Sequence, residues 1–171
     1  KVGPPRATLQ AARPILEKAT KKWLLSSLGE QECVVLHKTD LRWRWSPLFI
    51  TQPVGGPKDQ PVFVNAAVVI DGQKLTELKP SESRALTLLK SFLKIEDDFG
   101  RNQKASRILW GPRSLDLDLL AWGGLQIKHQ DLILPHPRLI ERSFVLVPLA
   151  EALIYEDDAP KRLPPDSNWM E

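Results

Sequence analysis

The central acidic segment of the sequence reads Trp110-Gly111-Pro112-Arg113-Ser114-Leu115-Asp116-Leu117-Asp118-Leu119-Leu120. From Ser114 onward, leucines at every second position alternate with two aspartates. This period of two predicts a half-buried β-strand, and the Gly-Pro pair in front of it predicts a turn. Because a strand rises about 3.3 Å per residue, the carboxylates of Asp116 and Asp118 are expected about 6.5 to 7 Å apart on one face.

The two carboxylates suit a divalent cation. Most Asp-x-Asp pairs on strands form only a solvated face, but Asp is a poor strand former and here it interrupts a run of leucines. Mg²⁺ lies about 2.0 to 2.1 Å from its oxygen ligands, so one or two ions fit between the pair. Arg113 on the preceding turn adds a group that binds phosphate. The segment therefore predicts a site for a metal and a phosphate together.

The composition indicates one globular domain covering residues 1–171. Of the 171 residues, 42% are hydrophobic and 26% are charged, which are ordinary values for a folded domain. The net charge of +3 is too small to indicate a nucleic acid as partner. A single cysteine, Cys33, excludes an internal disulfide, and three histidines without ligand spacing argue against zinc.

No membrane or secretion signal is visible in the sequence. The longest apolar run, residues 144–150, is far shorter than the about 20 residues that a membrane span needs. We expect a cytoplasmic monomer with small-molecule substrates and neither a membrane nor a nucleic acid as partner.

Hydrophobic periodicity predicts the remaining elements. Expected helices cover residues 7–28, with a kink or a stop at Pro14 and an end at Gly29, then 80–100 and 139–150. Expected strands cover 34–36, 41–45, 62–70 and 115–120, and a small hairpin arm covers 125–127. Residues 51–61 are expected to form a loop, and residues 155–171 a tail. This order favours an α+β sandwich with an antiparallel sheet.

Cationic side chains flank the acidic segment on both sides. No glycine-rich phosphate loop is present, so side chains must hold the phosphates of any nucleotide. Each arginine taken singly is more often a solvated surface charge, but seven basic side chains on two loops favour bidentate phosphate binding. They are Arg101, Lys104, Arg107 and Arg113 before the pair Asp116 and Asp118, and His136, Arg138 and Arg142 after it.

Phe63 and Asn65 share one face of the predicted strand 62–70. If that face points inward, the amide of Asn65 must be satisfied, and it could bind the polar edge of a ligand on which Phe63 stacks. Phe63 and Phe144 could equally be core residues, and the pattern alone does not decide between the two interpretations.

Together, these motifs resemble the 6-hydroxymethyl-7,8-dihydropterin pyrophosphokinase family, which belongs to folate biosynthesis. The resemblance covers about residues 46–150. It rests on Arg107, on the acidic segment and on four further motifs. These are Asp-Gln-Pro at 59–61, Phe-Val-Asn-Ala-Ala-Val at 63–68, Leu-Pro-His-Pro-Arg at 134–138 and Glu-Arg-Ser-Phe-Val-Leu at 141–146.

The resemblance implies a ferredoxin-like two-layer sandwich that transfers pyrophosphate from ATP to the hydroxymethyl oxygen of the pterin, releasing AMP. Asp116 and Asp118 are implied to bind two Mg²⁺ ions, and Arg101 and Arg113 to act in catalysis. The implied ATP-binding residues are Glu96, Lys104, Arg107, Trp110, Leu119, His136 and Arg142. The implied pterin-binding residues are Thr51, Val54, Phe63, Asn65 and Phe144.

The chain departs from the family pattern in three places. Gln103 stands where many members have a second arginine, in a loop about two residues longer, and Asp131 stands where some members have a basic residue. The family's opening strand is missing. We therefore expect residues before Lys1 that supply this strand; the alternative is that residues 34–36, within the unmatched segment 23–45, supply it.

Two other classes of protein compete with this interpretation. A nucleotidyltransferase also uses Asp-x-Asp on a strand, but usually with an upstream Gly-Ser turn and a third acid, and neither is evident. An RNA-binding module of similar fold needs exposed aromatic residues in an RNP-type string, which is absent from the sequence.

Overall fold

The computed structural model describes residues 4–31, 34–52, 62–100 and 114–154. Within these ranges the chain forms α1 (Pro5–Leu28), β1 (Arg42–Trp45), β2 (Phe49–Thr51), β3 (Phe63–Asn65), β4 (Val68–Asp71), α2 (Gln73–Glu77), α3 (Glu82–Asp98), β5 (Ile127–His129), β6 (Leu132–Leu134) and α4 (Ser143–Ile154). All strand pairs are antiparallel, in three two-stranded ladders. The predicted α+β class with antiparallel pairing is confirmed.

Helix α1 is continuous across Pro14, so of the two expected alternatives the stop and restart is wrong, while the kink stays a prediction. A proline inside a helix costs about 3 kcal/mol, because it lacks an N–H and its ring crowds the preceding turn. Packing offsets this cost: Ala12, Leu16 and Leu24 lie in the main core on both sides of Pro14. Gly29 ends the helix in the left-handed conformation, with φ of 75°, as the sequence predicts.

Strands β1 to β4 form one bent hairpin in two parts. β1 pairs with β4, and β2 pairs with β3, so the predicted single strand over 62–70 is divided by Ala66 and Ala67. Ser46 holds the two parts together: its N–H donates to the carbonyl of Ala67 at 2.9 Å, and its hydroxyl accepts from the N–H of Ala67 at 2.9 Å. Pro47 follows within this interruption, where its missing N–H breaks no ladder bond.

Residues 34–36 are not a strand, and this prediction is wrong. Leu36 packs against the main core, but Val35 is 73% exposed, and the run pairs with no described strand. Helix α2 was not predicted from the sequence. It follows Gly72, whose φ of 136° and contact with the backbone of Asp40 leave no room for a side chain.

Helix α3 confirms the predicted helix over 80–100, although it begins two residues later and ends two residues earlier. Ser81 caps it by accepting from the N–H of Arg84 at 3.4 Å, and Pro80 lies before the cap. Buried side chains recur along one face, at Ala85, Leu88, Phe92 and Ile95. This face packs α3 against α1.

Two hydrophobic clusters form the core of the described residues. The larger joins α1, α3 and the start of the acidic segment through Leu16, Trp23, Phe92 and Leu115. The smaller lies under the β5–β6 hairpin. Leu119 and Trp122 pack against both clusters. The acidic segment therefore leads from one cluster to the other.

No helix in the four described ranges combines the length and the apolar character that crossing a membrane requires.

Candidate active site

The acidic segment alternates in burial as its sequence predicts, but it is not a strand. Leu115 is buried, Leu117 and Leu119 are half-buried, and Asp116 and Asp118 are exposed. However, residues 115–122 form no ladder with another described segment, so the predicted strand over 115–120 is wrong. The side chains still alternate in burial because hydrogen bonds from other elements keep this backbone extended.

Three hydrogen bonds from neighbouring elements hold this backbone. The hydroxyl of Ser114 donates to the carbonyl of Phe99, which ends α3. The N–H of Leu117 donates to Oε1 of Glu96 at 2.7 Å. The N–H of His136 donates to the carbonyl of Leu120 at 2.8 Å. Each of these bonds fixes the segment close to one of the two aspartates.

Glu96 lies beneath the acidic pair. Its side chain is only 1% exposed, in the last turn of α3, and it receives the N–H of the residue between Asp116 and Asp118. A buried carboxylate needs strong hydrogen-bond partners, and a backbone N–H is one of them. Glu96 thus orients the pair from below. Whether it also contacts ATP, as the resemblance implies, stays a prediction.

The end of α3 adds negative potential at the start of the acidic segment. The last turn of the helix carries Glu96, Asp97 and Asp98 and no basic residue. A helix C-terminus bears about half a negative charge, so acidic groups there are locally unfavourable and a cation is favourable. Because Ser114 is bonded to the carbonyl of Phe99, this end of the helix lies next to the acidic pair.

The donor set fits Mg²⁺ rather than a transition metal. Within the described ranges, no three His, Cys, Asp or Glu side chains lie close enough together to enclose an ion. Mg²⁺ does not need such a cage: it keeps several waters and is usually held by one or two carboxylates plus substrate phosphates. The exposed pair Asp116 and Asp118 meets this requirement.

His136 presents a defined ring nitrogen. Its Nδ1 accepts from the N–H of Arg138 at 3.2 Å, so the proton of the neutral ring lies on Nε2. The backbone bond to Leu120 holds the loop against the end of the acidic segment. Nε2 is therefore a hydrogen-bond donor on a half-buried side chain, as binding a phosphate oxygen requires.

The outer half of the bent hairpin brings together three predicted pterin residues. Thr51 lies opposite Phe63 in the ladder, and Asn65 lies opposite Phe49, so these four side chains share one face. Nδ2 of Asn65 donates to the hydroxyl of Thr51 at 2.7 Å. The amide keeps its carbonyl oxygen and one N–H for other partners. Phe63 is partly exposed, so it is not the buried core residue of the competing interpretation.

The remaining two described candidates lie at the start of helix α4, with Arg142 just before its first residue and Phe144 within its first turn. The guanidinium of Arg142 lies over the ring of Phe144, 5.4 Å from its centre. The helix begins at Ser143 and ends at Ile154, later than the predicted 139–150, and it lies alongside all four strands of the bent hairpin. Phe144 is therefore on an element that contacts the strand of Phe63 and Asn65.

The structure thus describes two groups of candidate residues. One is the acidic segment with Glu96, Leu119 and His136; the other is the hairpin face with the start of α4. Six predicted site residues lie outside the described ranges, as does Gln103: Val54, Arg101, Lys104, Arg107, Trp110 and Arg113.

Sequence reasoning did not single out Ser46 or Ser114 as site-forming residues. Both act on backbone geometry, Ser46 inside the hairpin and Ser114 at the end of α3. A serine next to a proline or at the start of an alternating run is a weak signal, because serine is common in loops.

The fold and the site together define a class of protein. It is an α+β domain with an exposed acidic pair beside a buried carboxylate, and with a polar hairpin face beside a helix. The model of the 7,8-dihydro-6-hydroxymethylpterin-pyrophosphokinase family matches residues 5–153. The chain belongs to this family. The match includes α1, which the motifs of the sequence do not reach.

Relatives in bacteria and plants share much of the matched region. The 2-amino-4-hydroxy-6-hydroxymethyldihydropteridine pyrophosphokinase of Bacillus subtilis is 43% identical over 106 residues, which are 62% of this chain and 56% of that protein. The enzyme of the same name from Methylorubrum extorquens is 46% identical over 99 residues, 58% of this chain and 55% of that protein. A folate synthesis bifunctional protein of Arabidopsis thaliana is 45% identical over 114 residues, 67% of this chain but 21% of that protein. The chain thus spans little more than half of these bacterial relatives.

Proposed function

We propose that the chain transfers the pyrophosphoryl group of ATP to 6-hydroxymethyl-7,8-dihydropterin, giving AMP and the pterin diphosphate in a step of folate biosynthesis. The observation that carries this proposal is the acidic pair, held on α3 by Glu96 within a chain of this family. The names of the bacterial relatives support the same reaction.

Asp116 and Asp118 would hold two Mg²⁺ ions against the phosphates of ATP. When bound, such ions neutralise the charge that develops on the transferred group and orient it. The buried carboxylate of Glu96 keeps the two aspartates aimed outward by holding the backbone between them. Nε2–H of His136, together with Arg142, would donate to phosphate oxygens.

The hairpin face and α4 would bind the pterin. Asn65, oriented by Thr51, offers an acceptor and a donor to the polar edge of a flat heterocycle. Phe63 and Phe144 offer rings that can stack on its faces. Arg101, Lys104, Arg107, Trp110 and Arg113, as well as Val54, enter the proposal through the family resemblance alone.

The proposal names only small-molecule partners, ATP and the pterin, and expects a monomer without a nucleic-acid or membrane partner. Cytoplasmic localisation also stays a prediction, and relatives differ in this respect. A second relative from Arabidopsis thaliana bears the name folate synthesis bifunctional protein, mitochondrial.

The direct test incubates the chain with ATP, Mg²⁺ and 6-hydroxymethyl-7,8-dihydropterin and separates the nucleotides by ion-exchange chromatography. We expect AMP in amounts equal to the pterin diphosphate, and none when the pterin is omitted. Release of free pyrophosphate would instead indicate a nucleotidyltransferase. Formation of ADP, or AMP formation independent of the pterin, would refute the proposed reaction.

A further inference from the structure

Arg44 joins the bent hairpin to the far end of α4. From β1, its Nη1 donates to the carbonyl of Leu153 at 2.8 Å, and its Nη2 lies 2.8 Å from Oδ2 of Asp71 on β4. One rigid guanidinium on β1 therefore contacts both β4 and the end of α4. The side chain is only 18% exposed, so solvent screens these contacts less than it screens a surface ion pair.

The bond to Leu153 caps the helix. The last four carbonyls of a helix have no partner within it, and Leu153 is the penultimate residue of α4. An arginine can satisfy such a carbonyl, and its charge also interacts favourably with the negative end of the helix dipole. Arg44 thus fixes the position of this end of α4 relative to β1.

The other end of α4 carries Phe144, and Arg142 lies just before the helix. Leu153 follows Phe144 by nine positions, so these two residues are about 13 Å apart along the helix. The helix lies alongside the four strands of the hairpin, which presents Thr51, Phe63 and Asn65 in its outer half. Pro148 removes one hydrogen bond inside α4, but it is buried and the helix contacts all four strands. Anchoring one end of this packed helix therefore keeps its other end in register with the hairpin.

We propose that Arg44 is a positioning residue for the pterin pocket. It locks α4 to the hairpin, and in this way it sets where Phe144 stands relative to the face of Phe63 and Asn65. This inference rests on the proposed function, since it concerns affinity for the pterin. Its effect should be larger on the pterin than on ATP. Of the described residues assigned to ATP, only Arg142 lies beside Phe144 at the start of α4, whereas Glu96, Leu119 and His136 lie on other elements.

Arg42 provides a matched control, because Arg42, Arg44 and Asp71 form one ion cluster. Its Nε lies 2.8 Å from the other oxygen of Asp71, but its side chain is 52% exposed. Loss of Arg42 removes the same charge from the same carboxylate and leaves the bond between Arg44 and Leu153 in place. A general loss of stability from weakening the ion cluster should therefore appear in both variants, and a loss of pocket geometry only in the Arg44 variants.

The experiment measures dissociation constants for pterin and for ATP by calorimetry in wild type, Arg44→Met, Arg44→Lys and Arg42→Met. For Arg44→Met we expect pterin binding to weaken about tenfold, since small displacements of a binding group are costly. ATP binding should weaken clearly less, because Arg142 is the one described ATP candidate beside Phe144. Arg44→Lys should lie in between, because one ammonium group cannot span both partners as the fork does. Amide hydrogen exchange in residues 151–154 should accelerate in Arg44→Met and not in Arg42→Met.

Three results would overturn the inference: unchanged pterin affinity in Arg44→Met, equal weakening of ATP, or an equal effect of Arg42→Met. If Arg44→Met does not fold, Arg44→Lys decides by the same criteria. Failure of the wild type to bind pterin at all would overturn the proposed function, and the inference with it. Pterin binding by the wild type together with an unaffected Arg44→Met would overturn the inference alone.

Discussion

At the scale of single residues, the site depends on side chains that hold backbone rather than ligand. Glu96 accepts from the N–H of Leu117, Ser114 donates to the carbonyl of Phe99 at the end of α3, and the hydroxyl of Ser46 accepts from the N–H of Ala67. Each side chain satisfies one backbone polar group from outside the regular ladders and helices. The two exposed aspartates can therefore lie in a fixed place without belonging to a ladder.

The first prediction concerns the acidic pair. Because both side chains are exposed, Asp116→Ala and Asp118→Ala should leave the melting temperature nearly unchanged. Turnover should fall by about a hundredfold or more, since a bound metal supplies several kcal/mol of charge stabilisation. AMP release at saturating Mg²⁺ measures this. Wild-type rates in either variant would exclude the pair as metal ligands.

The second prediction concerns Glu96. Glu96→Ala leaves the N–H of Leu117 without its acceptor and should lower the free energy of unfolding by about 1 to 3 kcal/mol. Glu96→Gln retains an acceptor of similar shape and should recover most of that loss.

Urea unfolding of the two variants measures the difference. Asp98→Ala, an exposed acid in the same helical turn, is the control and should change stability by less than about 0.5 kcal/mol. If Glu96→Ala were as stable as Asp98→Ala, the support role of Glu96 would be wrong.

At the scale of elements, the interruption of the hairpin matters most. The sequence 62–70 reads as one strand, yet the chain bends between Asn65 and Val68, and Ser46 bridges the gap from the other side. The two halves consequently serve different purposes. The inner half, β1 with β4, contributes Trp43, Trp45, Val68 and Ile70 to the packing around the main core, and the outer half presents the proposed pterin face.

The third prediction uses the two faces of the outer half. Asn65→Ala should weaken pterin binding by about 1 to 3 kcal/mol, because polar groups of the ligand edge would lose their partners. Val64→Ala, on the opposite face of the same strand, should weaken it little. Calorimetric titration of both variants with pterin and with ATP is the measurement. Equal weakening of ATP by Asn65→Ala would contradict the placement of the pterin on this face.

At the scale of the whole molecule, α1 and the acidic segment hold the described structure together. Trp23 of α1 meets Trp122 edge to face, with ring centres 5.4 Å apart, and its indole N–H donates to the carbonyl of Arg84 at the start of α3. Trp122 in turn packs against both hydrophobic clusters. Helix α1, which the sequence motifs do not reach, therefore contacts both α3 and the residues that follow the acidic segment.

The fourth prediction concerns stability in acid. Hydrogen bonding by Arg42, aided by the charge of Arg44, lowers the pKa of Asp71 below its ordinary value, against the opposing effect of burial. A carboxyl whose pKa is lower in the folded state stabilises that state above its unfolded pKa of about 3.9, and this contribution is lost as the pH falls through the folded pKa.

We therefore expect Asp71→Asn to be less stable than wild type at pH 6 to 7, and the difference to shrink as the pH falls below about 4. Urea unfolding at a series of pH values measures it. The effect should be small, since the carboxylate is about one-third exposed and solvent screens it. A stability difference that grows toward acid pH would show that the ion cluster does not favour the ionised form.

The sequence by itself determined the features that depend on local pattern. The period of two predicted which residues of the acidic segment face the core, Gly29 predicted the end of α1, and the alternation of residues 42–45 predicted β1. The shared face of Phe63 and Asn65 was also correct, because side-chain alternation needs no knowledge of the partner strand.

Only the tertiary structure decided the features that depend on distant partners. A local pattern does not reveal that Glu96, 21 residues away, takes the N–H of Leu117, so the segment was wrongly predicted as a strand. Nor does it reveal that core packing keeps α1 helical across Pro14, or that the side chain of Val35 stays exposed. In each case the free energy comes from contacts between residues far apart in the chain, and these exceed the local preferences that a sequence pattern records.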